Sequence, residues 1–367
     1  MRVLHIINWM KYGGAQSLVT DLLDVQKKAG LDVSLLCLVG IEENGFLQRI
    51  KENGVPIYNV QTGGNMRNPM MIFKLIPFLK HYDVVHFHSF PDEYWVPIAK
   101  LLSSAKCKLI YTVHSSHSPK YGHPIFKHVD HYIYKHLISA IACCSDKALD
   151  TFKSFYPDID AISVPNGINT ARYAEADPLN IISIVGGKCK FTITMVARFQ
   201  NPKRQDVLIR ALKELPEEIH LLFAGGKDDD PHFPTCKALA KELGLSTRIH
   251  FLGIRNDIPN LLKASDVVAL SSEYEGLSLS CLEGMAAGKP FVATNSDGLR
   301  EIVSGSGLLF ENGDSDTLAS HIMRLYSDKK YYESIAYSCQ KKALMYDIKK
   351  MAKSYYNIYI SQYEKNS

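Results

Sequence analysis

Short apolar runs alternating with helix-length segments constrain this chain more than any other feature. Runs rich in Val, Ile and Leu at 3–7, 33–38, 84–87, 109–113 and 138–143 each adjoin a stretch long enough for a helix. That is the βαβ pattern of a parallel sheet, whose strands need crossover helices rather than tight turns. The runs are nearly continuous in apolar residues, so both faces of the sheet must be covered. After Val164, Pro165, Asn166 and Gly167 the pattern lapses, and residues 168–190, with Pro178, Gly186 and Gly187, read as a linker region. The alternation restarts at 191–197, 219–224, 249–252, 267–270, 291–294 and 308–310. Two doubly wound α/β domains are the expectation, divided as 1–170 and 171–347, and 367 residues suffice for two hydrophobic cores. Ligands of such sheets sit at the carboxyl ends of the strands, so two domains facing one another put the active site in a cleft. The tail 347–364 carries Met351, Tyr355, Ile358 and Tyr359 at helical spacing and reads as a last amphipathic helix.

Charge and cysteine usage narrow the partners. The net charge is +4 and no basic run reaches the length of a nucleic-acid arm, which excludes a dedicated nucleic-acid binder. Anionic small molecules and anionic membrane surfaces remain compatible with it. No apolar run approaches the roughly 18 residues of a membrane span. The apolar stretch at the amino end is too short for a signal peptide. Eight cysteines without a C-x-x-C pair read as reduced, buried thiols of a reducing compartment. The expected location is cytoplasmic, with attachment to the inner face of the membrane as a peripheral protein the variant.

The segment 272–290 is the most informative one. Glu275, Gly276 and Leu277 fall at the end of a buried strand, and Ser278 onward opens a helix. Amides exposed at that helix start, with Gly276 allowing close backbone approach, form an anion site of the kind that holds a diphosphate. Glu275 and Glu283 could accept hydrogen bonds from sugar hydroxyls at two levels. Spacing alone leaves open a first-turn acid favoured by the helix dipole plus a solvated glutamate. Arg198 and Lys203 follow the strand 191–197, where two fixed cations at a strand end can hold an anionic group without a metal. Surface cations in a loop are the alternative.

Other polar groups carry less. Gly13 and Gly14 follow the first strand and precede a helical run beginning near Leu18, a pair too short for a dinucleotide fingerprint. His86 and His88 lie at one strand end, and His114 and His117 follow the next, which makes a zinc site one reading; no carboxylate or Cys stands at ligand spacing, and the expectation is no metal. Asp228, Asp229 and Asp230, and Asp314 with Asp316, fit D-x-D formally but read as loop acids, the second pair as an N-cap before 317–326. The stretch 120–136 mixes Lys120, Lys127 and Lys135 with Tyr121, Phe126, Tyr132 and Tyr134. It reads both as a helix for anionic lipid and as one packed on the first sheet by Ile125, Val129, Tyr132 and Ile133.

Taken in order, these segments resemble the GT4 family of retaining glycosyltransferases. Glu275 to Glu283 matches the family's E-x7-E motif, residues 251–259 its strand and turn beside the nucleotide base, 288–294 its following helix end and strand, and 164–169 its turn before the linker. The similarity covers nearly the whole chain and is strongest from 191 to 310. It implies the GT-B architecture, with the last helix, 348–367, crossing back to an acceptor-side first domain and the second domain binding the nucleotide sugar. It implies catalytic roles for Arg198, Lys203, Glu275 and His114, and donor binding by Gly14, Arg255, Gly276, Leu277, Ser278, Leu279 and Glu283. His86 and His88 match its H-x-H strand and are expected to line the cleft. Two departures stand out: Ala197 where the family usually has Gly, and Gln16 where many relatives have Glu.

The function so implied is retaining transfer of a sugar from a nucleotide-diphosphate donor, a UDP-sugar favoured over a GDP-sugar, to a saccharide or polyprenyl-linked saccharide of an envelope polysaccharide or lipopolysaccharide. No cofactor or metal is expected. A nucleotide-sugar 2-epimerase and a catalytically silent scaffold share the architecture. Donor turnover with and without acceptor separates the three.

Overall fold

The computed structural model describes residues 1–60, 65, 68–88, 90–114, 124–226 and 229–364. His117, Lys120, Tyr121 and Asp228 lie outside the described residues. The chain forms two compact units, Met1–Gly167 with Ile348–Ser367, and Ile168–Asp347.

In the first unit seven strands, β1 (Arg2–Met10), β2 (Asp32–Ile41), β3 (Ile57–Asn59), β4 (Val84–Phe87), β5 (Lys108–Val113), β6 (Ala140–Cys143) and β7 (Ile162–Ser163), pair in the order β3-β2-β1-β4-β5-β6-β7. Every pairing is parallel. The second unit holds β8 (Phe191–Val196), β9 (Ile219–Ala224), β10 (Ile249–Phe251), β11 (Val267–Leu270), β12 (Phe291–Thr294) and β13 (Leu308–Phe310), ordered β10-β9-β8-β11-β12-β13 and again all parallel. Strand order reverses between β1 and β4 and between β8 and β11, the switch points at which doubly wound sheets open a crevice. The apolar runs form these strands because both faces are covered: β4, β9, β11 and β12 are buried at every position.

Residues 168–190 differ from the expected linker. Ile168 and Tyr173 belong to the core of the second unit, Lys263 Nζ donates to the Ala174 carbonyl at 2.6 Å, and Asn260 Nδ2 to that of Asp177 at 2.8 Å. The Pro and Gly that weaken periodicity here break the segment into short helices, Thr170–Ala174 and Ile182–Val185, which still bury apolar side chains. The chain leaves and re-enters this unit through adjacent residues, because Ile168 bridges Asp347 and its amide donates to the Tyr346 carbonyl.

The helix Ile348–Glu364 packs on the first unit, with Met351, Tyr355, Ile358 and Tyr359 all buried. It covers a polar seam on one face of the sheet. Leu4, Ile6, Val85 and Phe87 point into the apolar core, so by the period of two His5, His86 and Thr112 point the other way. His86 Nδ1 meets the Tyr359 hydroxyl at 2.6 Å and its Nε2 the Thr112 hydroxyl at 2.7 Å, while Thr112 and Tyr355 share a bond of 2.8 Å. His5 joins His88 at 3.0 Å and Gln26 at 2.8 Å, and Gln26 Nε2 donates to Tyr359 at 3.3 Å. His86 is therefore core beneath a helix, with no exposed surface, and not the cleft lining expected from its place at a strand end. His5, His86 and His88 offer ring nitrogens within 4.8 Å of one another, and all six nitrogens have hydrogen-bond partners in the protein.

Burial holds these rings neutral. The pKa of His5 is pushed down to about 4, His114 likewise to about 4, and His86 and His88 lie well below the usual histidine range, desolvation being the leading cause in each. Below about pH 6.5 the unfolded chain binds protons that the folded one refuses, so stability is full above that pH and falls toward pH 4. His5 alone should cost on the order of 3 kcal/mol at pH 4. Both tryptophans, Trp9 and Trp95, lie in the first unit, so urea unfolding followed by tryptophan fluorescence reports that unit. Its midpoint should drop between pH 6.5 and 4; a flat midpoint across the window would mean that the cluster is not buried and neutral.

Candidate active site

In the second unit, loops at the carboxyl edge of the sheet are laced together by short contacts. Ser271, one residue past β11, donates to the carbonyls of Lys203 and Arg204 at 3.0 and 2.6 Å, and the Glu273 amide to that of Pro202 at 2.9 Å. Lys203 Nζ reaches Glu275 Oε1 at 2.5 Å, with both side chains mostly shielded from water. Arg204 pairs with Asp206 and Glu273, which holds its guanidinium further above the usual arginine range. The Gln205 side chain donates to the Arg198 carbonyl at 2.8 Å, while the Arg198 side chain is exposed and has no ion pair among the described residues.

The β12 loop closes on the same place. The Glu275 amide donates to the Asp297 carbonyl at 3.1 Å, and Ser296 Oγ to that of Ser272 at 3.0 Å. Gly298 makes this approach feasible: its φ is +79°, and a Cβ there would stand 2.4 Å from the Glu275 carbonyl oxygen. Glu275 thus lies five residues past the strand, fixed by its backbone to one neighbouring loop and by its carboxylate to another.

The helix that follows is Leu279–Ala286, with Ser278 as N-cap accepting from the Cys281 amide at 3.3 Å. Gly276 and Leu277 lie in the turn that leads to the Ser278 cap, and Leu279 is the first residue of the helix. Gly284 lets the helix sit down on the sheet, because a Cβ there would come within 2.8 Å of Val268 Cγ1 and 3.1 Å of Phe291. Glu283 is 8 % exposed, which removes the alternative of a solvated glutamate. Arg255, after β10, forms a two-pronged pair with Asp257 at 2.8 and 2.6 Å. The loop acids behave as expected: Asp230 accepts from the Phe199 amide at 2.9 Å, and Asp314 caps the helix Ser315–Ser327 by accepting from Thr317, which holds its carboxyl below the usual range.

In the first unit the helix after β1 begins at Gly14, four residues before the expected start. Two glycines at a helix start are poor formers, but Gln16 Nε2 donates to the Trp9 carbonyl at 3.0 Å and anchors the first turn. His114, just past β5, meets His88 through its Nε2 at 3.2 Å. The helix Pro124–His136 turns out differently from the packed face proposed for it. Ile133 and Tyr134 are buried, and Asp130 accepts from the Tyr94 and Tyr156 hydroxyls at 2.7 and 2.6 Å. Val129 and Tyr132 are 46 % and 57 % exposed, beside exposed Phe126, Lys127 and Lys135. A buried carboxylate satisfied by two tyrosines took the inward position that hydrophobicity alone assigned to Val129.

Asn8 and Asp92 belong to none of the sequence motifs. Asn8 Nδ2 donates to the Phe90 carbonyl at 2.7 Å, and Asn8 Oδ1 and both Asp92 oxygens are buried without a hydrogen-bond partner among the described residues. Burial lifts the Asp92 carboxyl well above the usual range. A polar residue inside a buried strand beside the switch point was the available signal for Asn8.

Known proteins place these features in a family. Residues 185–342 match the model for glycosyl transferases group 1, and residues 12–172 that for glycosyltransferase family 4. The UDP-Gal:alpha-D-GlcNAc-diphosphoundecaprenol alpha-1,3-galactosyltransferase of Escherichia coli is 27 % identical over 355 residues, 90 % of this chain and 89 % of its own. The N,N'-diacetylbacillosaminyl-diphospho-undecaprenol alpha-1,3-N-acetylgalactosaminyltransferase of Campylobacter jejuni is 30 % identical over 169 residues, 46 % of this chain and 44 % of its own. Among solved structures, Anabaena HepE in complex with UDP and glucose superposes with a TM-score of 0.84 at 22 % identity, over 98 % of this chain and 99 % of that one, and the fold is GT-B. With two Rossmann-like units of matching strand order and family models spanning most of both, the chain belongs to the GT4 family of group 1 glycosyltransferases.

Proposed function

We propose that this protein transfers a hexose from a UDP-sugar to a hydroxyl of a lipid-linked saccharide, with retention at the anomeric carbon and without a metal ion. The observation that carries the reading is the Lys203–Glu275 pair beside the Ser278-capped helix start, where several loops of the second unit are tied together. The second unit takes the nucleotide: amides of Gly276, Leu277, Ser278 and Leu279 toward the phosphates, Glu283 toward the ribose and Arg255 beside the base. Gly14 and His114 of the first unit serve the sugar, and that unit takes the acceptor. The UDP preference is supported by the UDP-Gal named for the Escherichia coli relative and by UDP bound to HepE.

Chemically, the bond from anomeric carbon to diphosphate oxygen breaks with its electron pair leaving on the diphosphate. The acceptor oxygen attacks from the same face, forms the new glycosidic bond and passes its proton to the departing diphosphate. Arg198 and Lys203 stabilise the developing charge, and Glu275 orients Lys203 and accepts from a sugar hydroxyl. Two-step retention would need a second carboxylate about 5 Å from the first across the sugar.

Among the described residues no helix is long and apolar enough to cross a membrane. The outward Phe126, Val129 and Tyr132 with Lys127 and Lys135 fit attachment to an anionic bilayer surface, where a lipid-linked acceptor resides. Binding to anionic vesicles should be measurable at low salt and fade as the screening length shrinks toward about 8 Å at physiological ionic strength. Equal binding to neutral and anionic vesicles would remove the basic face from the reading.

The decisive assay offers UDP-sugars with and without undecaprenyl-diphosphate-linked saccharide, in EDTA, with products read by mass spectrometry. Glycosylated lipid and UDP should form only when both substrates are present. An altered sugar nucleotide without acceptor would mean epimerisation, and loss of transfer in EDTA would overturn the metal-free step. Arg198→Ala should lower kcat about 100-fold by analogy with lost charge-stabilising donors. Its unfolding midpoint should stay in place, since the exposed side chain has no ion pair among the described residues. Undiminished kcat would take Arg198 out of the site.

A further inference from the structure

The seam under the last helix has a direction. His114 Nε2 meets His88 Nδ1 at 3.2 Å, His88 Nε2 meets His5 Nδ1 at 3.0 Å, and His5 Nε2 meets Gln26 Oε1 at 2.8 Å. A neutral imidazole carries one N–H, so a ring that donates on one side accepts on the other. The sense is set at Gln26, whose amide oxygen faces His5 while its nitrogen donates to the Tyr359 hydroxyl at 3.3 Å. His5 therefore donates through Nε2 to Gln26, His88 through Nε2 to His5, and His114 through Nε2 to His88. The same sense carries into the far branch, where Tyr359 donates to His86 Nδ1 and His86 donates through Nε2 to Thr112. Turning the Gln26 amide over would require every one of these protons to move together, so the tautomer of His114 is decided three links away from it.

We propose that His88, His5 and Gln26 are positioning residues that hold His114 as its Nε2–H tautomer, leaving Nδ1 to accept a hydrogen bond from a hydroxyl of the transferred sugar. The inference rests on the reading of His114 as the residue that meets that sugar. It makes the ring an uncharged acceptor at neutral pH and favours a hydroxyl over a deoxy position at that point of the donor.

Nitrogen-15 NMR of the histidine-labelled full chain near neutral pH tests the tautomer directly. His114 should show one form, protonated at Nε2 and bare at Nδ1; the Nδ1–H form, or a mixture of both, would overturn the proposal. In parallel, His88→Gln can still accept from His114 and donate to His5, and should keep kcat/KM within about threefold, whereas His88→Leu loses both bonds and should lower it about tenfold. Equal kcat/KM in the two variants would also overturn it. Should His88→Leu fail to fold, the wild-type spectrum decides alone. Stoichiometric metal in the purified protein that disappears in His88→Gln would overturn it too, because coordination takes the nitrogens the chain of bonds uses. His114→Ala with undiminished turnover would instead remove the underlying reading of His114, a result separable from the spectrum, which concerns the tautomer alone.

Discussion

An all-parallel sheet delivers every strand of one unit to the same edge, and this chain depends on that constraint twice. Crossover helices return each segment to the opposite edge, so the loops that leave β8, β9, β10, β11 and β12 share one rim although they come from five separate stretches of sequence. Once there, they are held by backbone bonds more than by side-chain pairs. Ser271 grips two carbonyls of the loop after β8, and Asp297 and Gly298 press on the backbone of Glu275. The charged residues of the rim are thereby placed by groups that carry no charge themselves. Within this rim the Arg198 side chain stays exposed, while Lys203 is paired with Glu275.

The first unit meets a different demand on the same frame. Its central strands carry polar residues on one face, where a doubly wound sheet ordinarily buries aliphatic ones. A lone buried imidazole without partners would cost more than its burial returns. Here each ring is joined to the next, and Gln26, Thr112, Tyr355 and Tyr359 terminate the links, so the seam is satisfied by neutral hydrogen bonds. Satisfied networks of this kind specify one packing arrangement, because a helix displaced by one turn would strand several donors at once.

Much of this was legible in the sequence, and what escaped has physical reasons. Strands 84–87, 219–224, 267–270 and 291–294 coincide with the structure because both faces are buried and the apolar run is the whole signal, and 308–310 coincides as well although it is a half-buried edge strand. β3 and β7 escaped because they are edge strands of three and two residues, with Tyr58 40 % and Ile162 47 % exposed, so no apolar run marks them. The rim of the second unit was readable because its charged residues follow strands in order along the chain. The histidine seam was not, since the partner of His86 lies 273 residues away and pairing over that distance leaves no local pattern. The helix Pro124–His136 misled in part for the opposite reason: Ile133 is buried as expected, but Val129 and Tyr132 are exposed and Asp130 faces inward, while the Ile125 side chain lies outside the described residues.

The return of Ile348–Glu364 to the first unit sets an order of assembly as the polypeptide is made. Synthesis runs from the amino end, and domains generally fold as units in that order. In this chain the second unit, residues 168–347, has its complete sequence before the helix carrying Tyr355 and Tyr359 exists. Until then His86, Thr112 and Gln26 lack the hydroxyls of Tyr355 and Tyr359 that later bind them. The unit that begins first is thus finished last. The two halves are completed in inverse sequence, since the first lacks its closing helix until its neighbour has been translated.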